Sequence, residues 1–387
     1  MADLDAALVA RARRHAAEHG ELPGASDLGS IVRELGGVLG RADLAELERR
    51  VRAELLGAGP LQPLLDEPGV SDVLVNGPGS GWLDRGAGLE RADVALPDRA
   101  AVRALATRLA AAGGQRLDDA VPVVDARLPD GTRLHAVLPP IAPDGVLISL
   151  RVLRATAFRI EELVACGSLA PIAADLLRAL VASRANLLVS GATGTGKTTL
   201  LSALLSLVPA NERIVCIEEA AELTPDHPHV VRLLARRPNV EGAGEVNLTT
   251  LVRNALRMRP DRIVLGECRG PEVREMFTAL NTGHEGGCAT VHANAVTDVP
   301  ARLEALGALA GMPVGAVAAQ AASAVHAVLH LRRDAGRRYL AQVGAVARDD
   351  DGALRVGLVL EIEPGGGVHL GAQWPALARR WGLGAFP

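Results

Sequence analysis

Residues 185–201 read Ala-Asn-Leu-Leu-Val-Ser-Gly-Ala-Thr-Gly-Thr-Gly-Lys-Thr-Thr-Leu-Leu. Residues 186–190 form a short apolar run, the pattern of a buried strand. Gly191, Ala192, Thr193, Gly194, Thr195, Gly196, Lys197 and Thr198 then fill the phosphate-loop template G-x-x-x-x-G-K-[ST]. From Thr199 to residue 208 the pattern is helical. Strand, glycine turn and helix form the context the motif requires. Glycines let successive N–H groups point inward at an anion, and the helix N-terminus adds partial positive charge. In that geometry Lys197 reaches the β- and γ-phosphates and the Thr198 hydroxyl faces Mg²⁺. A bare glycine turn needs neither the lysine nor the threonine.

The chain beyond this stretch alternates. Strand patterns fall at 213–218, 230–234, 262–267 and 287–292, and helical ones at 248–258, 272–281 and 299–309. Such alternation predicts an α/β fold with a mainly parallel sheet covered on both faces. In these sheets ligands bind beyond the carboxyl ends of the strands, so strand ends become candidate site positions.

Upstream the texture changes. Residues 1–57 look helical, a lead-in broken at Pro23-Gly24 and Gly36-Gly37. Residues 58–153 carry short apolar runs at 70–76, 81–84, 123–128, 132–138 and 146–152, a helix at 100–112, and a hairpin signal at Asp130-Gly131. They predict a small α+β domain with an antiparallel sheet. Residues 154–184 read as a helical linker, and 185–387 as the phosphate-loop domain with a C-terminal hairpin (338–346 and 354–363) and a tail. No chemistry is evident in that hairpin, and Gly365–Gly367 reads as disordered.

Composition narrows the class. Of the 387 residues, 49% are hydrophobic but only 2% aromatic, so the cores must be built from Ala, Leu and Val. The net charge of −4 gives no general attraction to nucleic acid. The four cysteines (Cys166, Cys216, Cys268, Cys288) lack metal-ligand spacing and read as small buried hydrophobes in a reducing cytoplasm. No signal peptide is apparent at the N-terminus. Residues 305–331 contain no Asp, Glu, Lys or Arg. Pro313, Gln320, His326 and His330 interrupt them, so they predict a helix end, a turn, a buried helix and a strand rather than a membrane span.

Three strands end in polar groups beside the loop. Residues 213–218 end in Glu218-Glu219, either of which could polarise an attacking water. Residues 262–267 end in Glu267, on the Mg²⁺ side, whereas Asp261 lies at the wrong end. Residues 287–291 lead to His292, a neutral imidazole able to sense the γ-phosphate. Arg232, Arg236, Arg253, Arg257 and Arg259 could neutralise phosphate charge. Each has a plainer explanation: a cap for the glutamates, an ion pair with Arg269 for Glu267, a core position for His292. Three polar strand ends around one phosphate loop favour a functional site. Arg127, Arg133 and Arg151 lie on the upstream strands and, on spacing alone, read as solvated.

The chain resembles the hexameric ATPases of type II and type IV secretion and type IV pilus assembly. Gly191–Thr199 is similar to their phosphate loop and residues 213–223 to their Asp box. Residues 247–270 are similar to their Walker B region, and 283–294 to their His box. With residues 75–77 and 125–133, the resemblance extends over 55–335, and within the family it points to the Tad (Flp) pilus branch. It implies a RecA-like domain binding ATP and Mg²⁺. Lys197 and Thr198 would hold phosphate and metal, with Glu218 as catalytic glutamate, Glu267 as Walker B glutamate and His292 as sensor. Arg232 and Arg236 would approach the phosphates across a subunit boundary, and Arg127, Arg133 and Arg151 would close over the nucleotide. Glu219 stands where the family usually has aspartate, which leaves the division of roles between Glu218 and Glu219 open.

The reading is then a cytoplasmic homo-hexamer at the inner-membrane face, working on a platform protein of a pilus or secretion machine, without direct nucleic-acid binding. An ATPase of DNA transfer and a nucleotide-binding scaffold with little turnover are the alternatives. A GTPase is disfavoured, because the chain has no N-K-x-D.

Overall fold

A computed structural model describes residues 57–86, 88–152, 158–236, 243–334 and 336–381, with residues 30, 49, 53 and 54. Nearly all of the expected helical lead-in lies outside the described residues. The chain forms two compact units, Met1–Arg154 and Ala155–Pro387.

In the first unit β1 (Asp72–Val75), β2 (Gly81–Asp84), β3 (Leu89–Ala92), α1 (Arg99–Ala112), β4 (Val123–Arg127), β5 (Arg133–Val137) and β6 (Leu147–Arg151) follow in order. The six strands pair antiparallel in the order β3-β2-β1-β6-β5-β4. Period-two alternation decides the faces: Leu134 and Ala136 on β5 and Ile148 and Leu150 on β6 are buried. They share a core with Val102, Leu105, Ala106 and Leu109, one stripe of α1. Asp98 starts that helix by accepting from the Ala101 N–H at 2.8 Å. The β4–β5 turn lies where Asp130-Gly131 places it, with Gly131 at φ 93°. Strand β3 has no counterpart in the sequence reading, because only one of its four residues is buried.

The second unit begins with α2 (Ile160–Ala165) and α3 (Pro171–Ala182). Both helices from the 154–184 stretch pack into this unit's core, through Ile160, Leu163, Leu176, Leu177 and Leu180. There follow β7 (Leu187–Gly191), α4 (Lys197–Leu205), β8 (Ile214–Glu218), β9 (Val230–Leu234), α5 (Leu248–Ala255), β10 (Arg262–Leu265), α6 (Val273–Asn281) and β11 (Cys288–Val291). The chain continues as α7 (Val299–Leu309), α8 (Val314–Ala324), β12 (Ala327–Asp334), β13 (Arg337–Arg348), β14 (Leu354–Ile362), β15 (Val368–Leu370) and α9 (Trp374–Arg380). The nine strands run β15-β14-β13-β12-β7-β11-β10-β8-β9. From β12 to β9 every pairing is parallel, and from β12 to β15 every pairing is antiparallel. Helices α2, α3, α4 and α9 pack on one face and α5–α8 on the other.

The uncharged 305–331 segment resolves as the sequence predicts: the end of α7, a turn, α8 and β12. Its two helices bend by 120° at the break. Among the described residues no single helix is long and apolar enough to cross a membrane. Two expectations fail. Gly365–Gly367 forms the ordered turn between β14 and β15, with the Glu363 N–H bonded to the Gly367 carbonyl at 2.8 Å. Cys166 is exposed, because it ends α2 instead of sitting in a strand, while Cys216, Cys268 and Cys288 are buried.

The amino ends of the parallel strands are locked. The Arg262 side chain is 2% exposed and its Nε donates to Glu212 at 2.5 Å. Its other nitrogens reach the carbonyls of Val181 and Gly286, and Arg184 also pairs with Glu212, at 3.1 Å. Asp261 accepts from the Arg213 N–H at 2.8 Å, at the end away from the phosphate loop.

Candidate active site

Strand β7 is buried throughout and releases the chain at Gly191. A β-carbon at Gly191 would stand 2.6 Å from the Leu331 carbonyl oxygen, and its φ of +147° lies in the region that favours glycine. Gly196, at φ 95°, turns the chain into α4. Lys197 opens that helix and is buried. Its Nζ donates to the Gly191 and Ala192 carbonyls, each at 2.9 Å. Burial lowers its pKa, against the pull of Glu267 and Glu222.

A chain of contacts runs from Lys197. His292 Nδ1 lies 3.5 Å from Nζ, and His292 Nε2 lies 2.8 Å from Glu267 Oε1. Arg269 donates to Glu267 Oε2 at 2.6 Å and reaches Glu219 at 3.5 Å. Burial pulls the Glu267 pKa up, but Arg269, His292 and Lys197 overcome it, and the carboxyl stays below its usual range. Burial and the Lys197 charge lower the His292 pKa, which keeps the imidazole neutral near pH 7. The ion pair with Arg269 and the histidine contact therefore coexist on one glutamate.

Glu218 and Glu219 part company. Extended backbone sends successive side chains to opposite faces, so Glu218 is 3% exposed while Glu219 is exposed. Glu218 Oε1 accepts from the N–H groups of Glu222 and Leu223 at 2.8 and 2.9 Å. Its Oε2 is buried with no hydrogen-bond partner. Burial raises its pKa, and the two backbone donors only partly offset this. β8 lies third from β7, with β11 and β10 between them.

Arg232 and Arg236 are not brought to the loop of their own chain. β9 is the far edge strand, four places from β7, roughly 19 Å at the usual strand spacing. Arg232 donates to the Leu223 carbonyl at 3.2 Å and Arg236 to the Gly244 carbonyl at 2.6 Å. In the first unit Arg127 pairs in register with Arg133, Arg133 with Arg151, and Arg151 with Asp72. Three like charges thus stand abreast on one face. Arg151 has a carboxylate directly across the ladder, at 3.0 Å in Asp72.

Sequence reasoning missed three groups. Glu222 is a second carboxylate whose charge Lys197 feels; its signal was the Glu-Glu-Ala-Ala-Glu run. Ser190 Oγ contacts the buried His330 at 2.9 Å, one strand over. Arg333 and Arg338, opposite one another on β12 and β13, lie over the phosphate loop. Arg333 Nη1 is 3.9 Å from where a Gly194 β-carbon would stand, and Arg338 Cδ is 3.8 Å from the same point on Gly196. The hairpin expected to be inert therefore borders the loop.

Comparison with known proteins places this arrangement. Residues 54–350 match the family model "Type II/IV secretion system protein". A putative conjugal transfer protein of Mycobacterium tuberculosis is 52% identical over 335 residues, 85% of this chain and 95% of that one. The type IV secretion system protein VirB11 of Brucella suis is 33% identical over 259 residues, 60% of this chain and 72% of that one. The structure of the pilus retraction motor PilT with bound ADP shares the fold at a TM-score of 0.52 and 18% identity. It covers 83% of this chain and 85% of that one. With its phosphate loop, its polar strand ends and a match over most of its length, the chain belongs to the type II/IV secretion system protein family.

Proposed function

We propose that the protein is a Mg²⁺-dependent ATPase that drives a secretion or pilus machine as a homo-hexamer. The observation carrying this is the contact chain Lys197–His292–Glu267–Arg269–Glu219 beside the phosphate loop. The relatives, VirB11 and PilT among them, are consistent with a motor.

The loop N–H groups and Lys197 bind the β- and γ-phosphates, and Thr199 extends the cradle along α4. Two of the three Lys197 protons are held by loop carbonyls, so a phosphate oxygen meets a pre-aimed ammonium. Glu218 takes the proton of the attacking water through Oε2, which its neighbours leave free of hydrogen bonds. His292 stays neutral and reports γ-phosphate loss to Glu267. Arg127, Arg133 and Arg151 neutralise phosphate charge from the first unit. Their shared face concentrates positive charge. Arg232 and Arg236 serve the neighbouring subunit's nucleotide, which accords with their distance from the loop of their own chain.

Mg²⁺ fits the residues present. Thr198 and Glu267 offer hard oxygen donors. Among the described residues no cluster of three His, Cys, Asp or Glu could hold a metal alone, which suits an ion shared with substrate phosphates. When bound it would neutralise charge on the transferring phosphoryl group.

The partner is an inner-membrane platform protein that receives the motion at the cytoplasmic face. The cargo has two readings. The Tad (Flp) pilus motifs favour pilin. The 52% identical conjugal transfer relative favours DNA transfer, in which the motor works beside the nucleic acid without binding it.

The test is phosphate release and nucleotide binding by the purified protein. Lys197→Ala removes a charged hydrogen-bond donor worth about 1.5–3 kcal/mol, so ATP affinity falls about 10- to 100-fold. Glu218→Gln binds ATP but turns over poorly. Wild-type turnover in Glu218→Gln would move the base to Glu219 or Glu222.

A further inference from the structure

The carboxylate of Glu218 is gripped by the loop that follows β8, and two other side chains hold that loop. Glu218 Oε1 accepts from the N–H groups of Glu222 and Leu223. The next peptide group is held at both ends. Arg232 Nε donates to the Leu223 carbonyl at 3.2 Å, and the Thr224 N–H donates to Ser202 Oγ at 3.2 Å. We propose that Ser202 and Arg232 are positioning residues for Glu218, acting through the backbone of residues 222–224. The proposal rests on the ATPase reading above, with Glu218 as the base, and deepens it.

The geometry of the peptide makes the link. One carboxylate oxygen tied to two N–H groups leaves the other oxygen, Oε2, wherever those groups aim it, and a base works only from the right place. The Leu223 carbonyl and the Thr224 N–H are opposite ends of one planar unit. Arg232 and Ser202 pull on it from its two ends, so the plane cannot rotate without breaking one of the bonds. The Leu223 N–H, on the other side of the same α-carbon, then keeps its aim at Glu218. The Leu223 side chain is fully buried and packs in one core with Leu200, Leu201 and Leu204 of α4. Packing sets the depth of the loop, and the two directional bonds set its rotation.

The two holders come from different elements. Ser202 is 3% exposed, a hydroxyl set among buried Leu200, Leu201, Ala203 and Leu204 on α4, the helix that Lys197 opens. A buried hydroxyl calls for a partner, and the Thr224 N–H supplies one. Arg232 comes from β9, in register with Cys216 on β8. Burial raises the Glu218 pKa, and the Arg232 charge is among the groups that pull against it. The base is thus tied to the helix of the phosphate loop on one side and to the edge strand on the other. Ser206, at the end of α4, offers an internal control. Its Oγ accepts from the Asp226 N–H at 2.9 Å, farther along the loop and outside the held peptide.

The experiment pairs amide hydrogen exchange of the intact, nucleotide-free protein, read at Glu222 and Leu223, with steady-state phosphate release. Ser202→Ala and Arg232→Gln should each speed exchange at those two amides about tenfold. Without nucleotide, any service of Arg232 to a neighbouring subunit cannot contribute. Ser202→Ala should also lower kcat about tenfold while KM for ATP moves by less than about twofold. Ser202 decides the kinetic half, because it is buried and cannot reach a neighbour's nucleotide. Ser206→Ala loses a bond of the same kind and should keep kcat within about twofold of wild type. Unchanged exchange at Glu222 and Leu223 in both variants overturns the proposal. So does unchanged kcat in Ser202→Ala, a loss seen only in KM, or an equal kcat loss in Ser206→Ala. Should Ser202→Ala fail to fold, exchange in Arg232→Gln still decides. If the wild-type protein releases no phosphate from ATP, the ATPase reading itself falls, and with it the role given to Glu218, whatever the exchange shows.

Discussion

Gly266 faces Glu218 so closely that a β-carbon at Gly266 would stand 2.8 Å from Glu218 Cγ. The glycine is pinned on both sides: its N–H donates to the Ile217 carbonyl at 2.8 Å, and its carbonyl accepts from Thr290 Oγ1 at 2.6 Å. It cannot retreat from a larger side chain, so the glutamate must. Gly266→Ala is expected to lose about 1–3 kcal/mol of stability through overpacking and to lower kcat at least tenfold. Urea denaturation and phosphate release measure the two. Unchanged kcat would separate Glu218 from the chemistry.

The raised pKa of Glu218 has consequences of opposite sign for activity and stability. A general base works when ionised, so kcat rises with pH through an acid limb above the ordinary value of 4.5. In the fold the charged form is disfavoured, so ionisation destabilises the native state as pH climbs past that value. Glu218→Gln should therefore be at least as stable as wild type at pH 7–8, with the difference shrinking toward pH 4, while kcat drops about 10²- to 10⁴-fold. Thermal melts across pH, paired with single-turnover assays, examine both halves.

His330 gives a third expectation. Its pKa falls from 6.5 to about 4, chiefly by burial. The unfolded chain binds a proton below pH 6.5 that the folded chain refuses until about pH 4, so stability is lost as pH falls through that window and levels off below it. The full shift corresponds to about 3 kcal/mol. Glu218, whose pKa is raised by burial, also contributes above 4.5, so the diagnostic is the difference between wild type and His330→Gln. The variant's stability curve should be flatter from pH 6.5 to 4, although lower at pH 7 for want of the Ser190 bond.

Arg133 stands between two other arginines in its sheet register. Arg133→Gln removes one positive charge from a row of three, so it should alter folding stability by no more than about 0.5 kcal/mol. If the row neutralises phosphate, kcat/KM for ATP falls about tenfold nonetheless. A stability loss matching the activity loss would make the arginine structural.

Much of this was legible in the sequence, for particular reasons. β7, β8, β10 and β11 are buried on both faces, so they appear as unbroken apolar runs whose last polar residue marks the site. The Asp130-Gly131 turn and the Asp98 cap carry local signals that do not depend on the rest of the chain. The placement of Arg333 and Arg338 beside the loop depends on β12 pairing with β7, a partner 140 residues away at Ser190 and His330. No local pattern announces that pairing. Glu222 was hidden by its neighbours: five residues with three glutamates do not reveal which carboxylate faces Lys197. Cys166 misled because cysteine is usually buried, whereas at the end of α2 it is exposed.

The saturated Arg262–Glu212–Arg184 cluster sits at the opposite end of the strands from Lys197. One end of the sheet is thus fixed by ion pairs that have nothing to do with turnover, while the other carries groups free to exchange partners. Damage should sort by latitude along the strand axis. Substitutions near Arg262 would reduce how much protein a cell accumulates, because removing one partner of a buried ion pair leaves an uncompensated charge. Substitutions near Glu267 would leave abundance intact and abolish turnover, and, in the proposed hexamer, inactive subunits that still assemble would poison mixed rings.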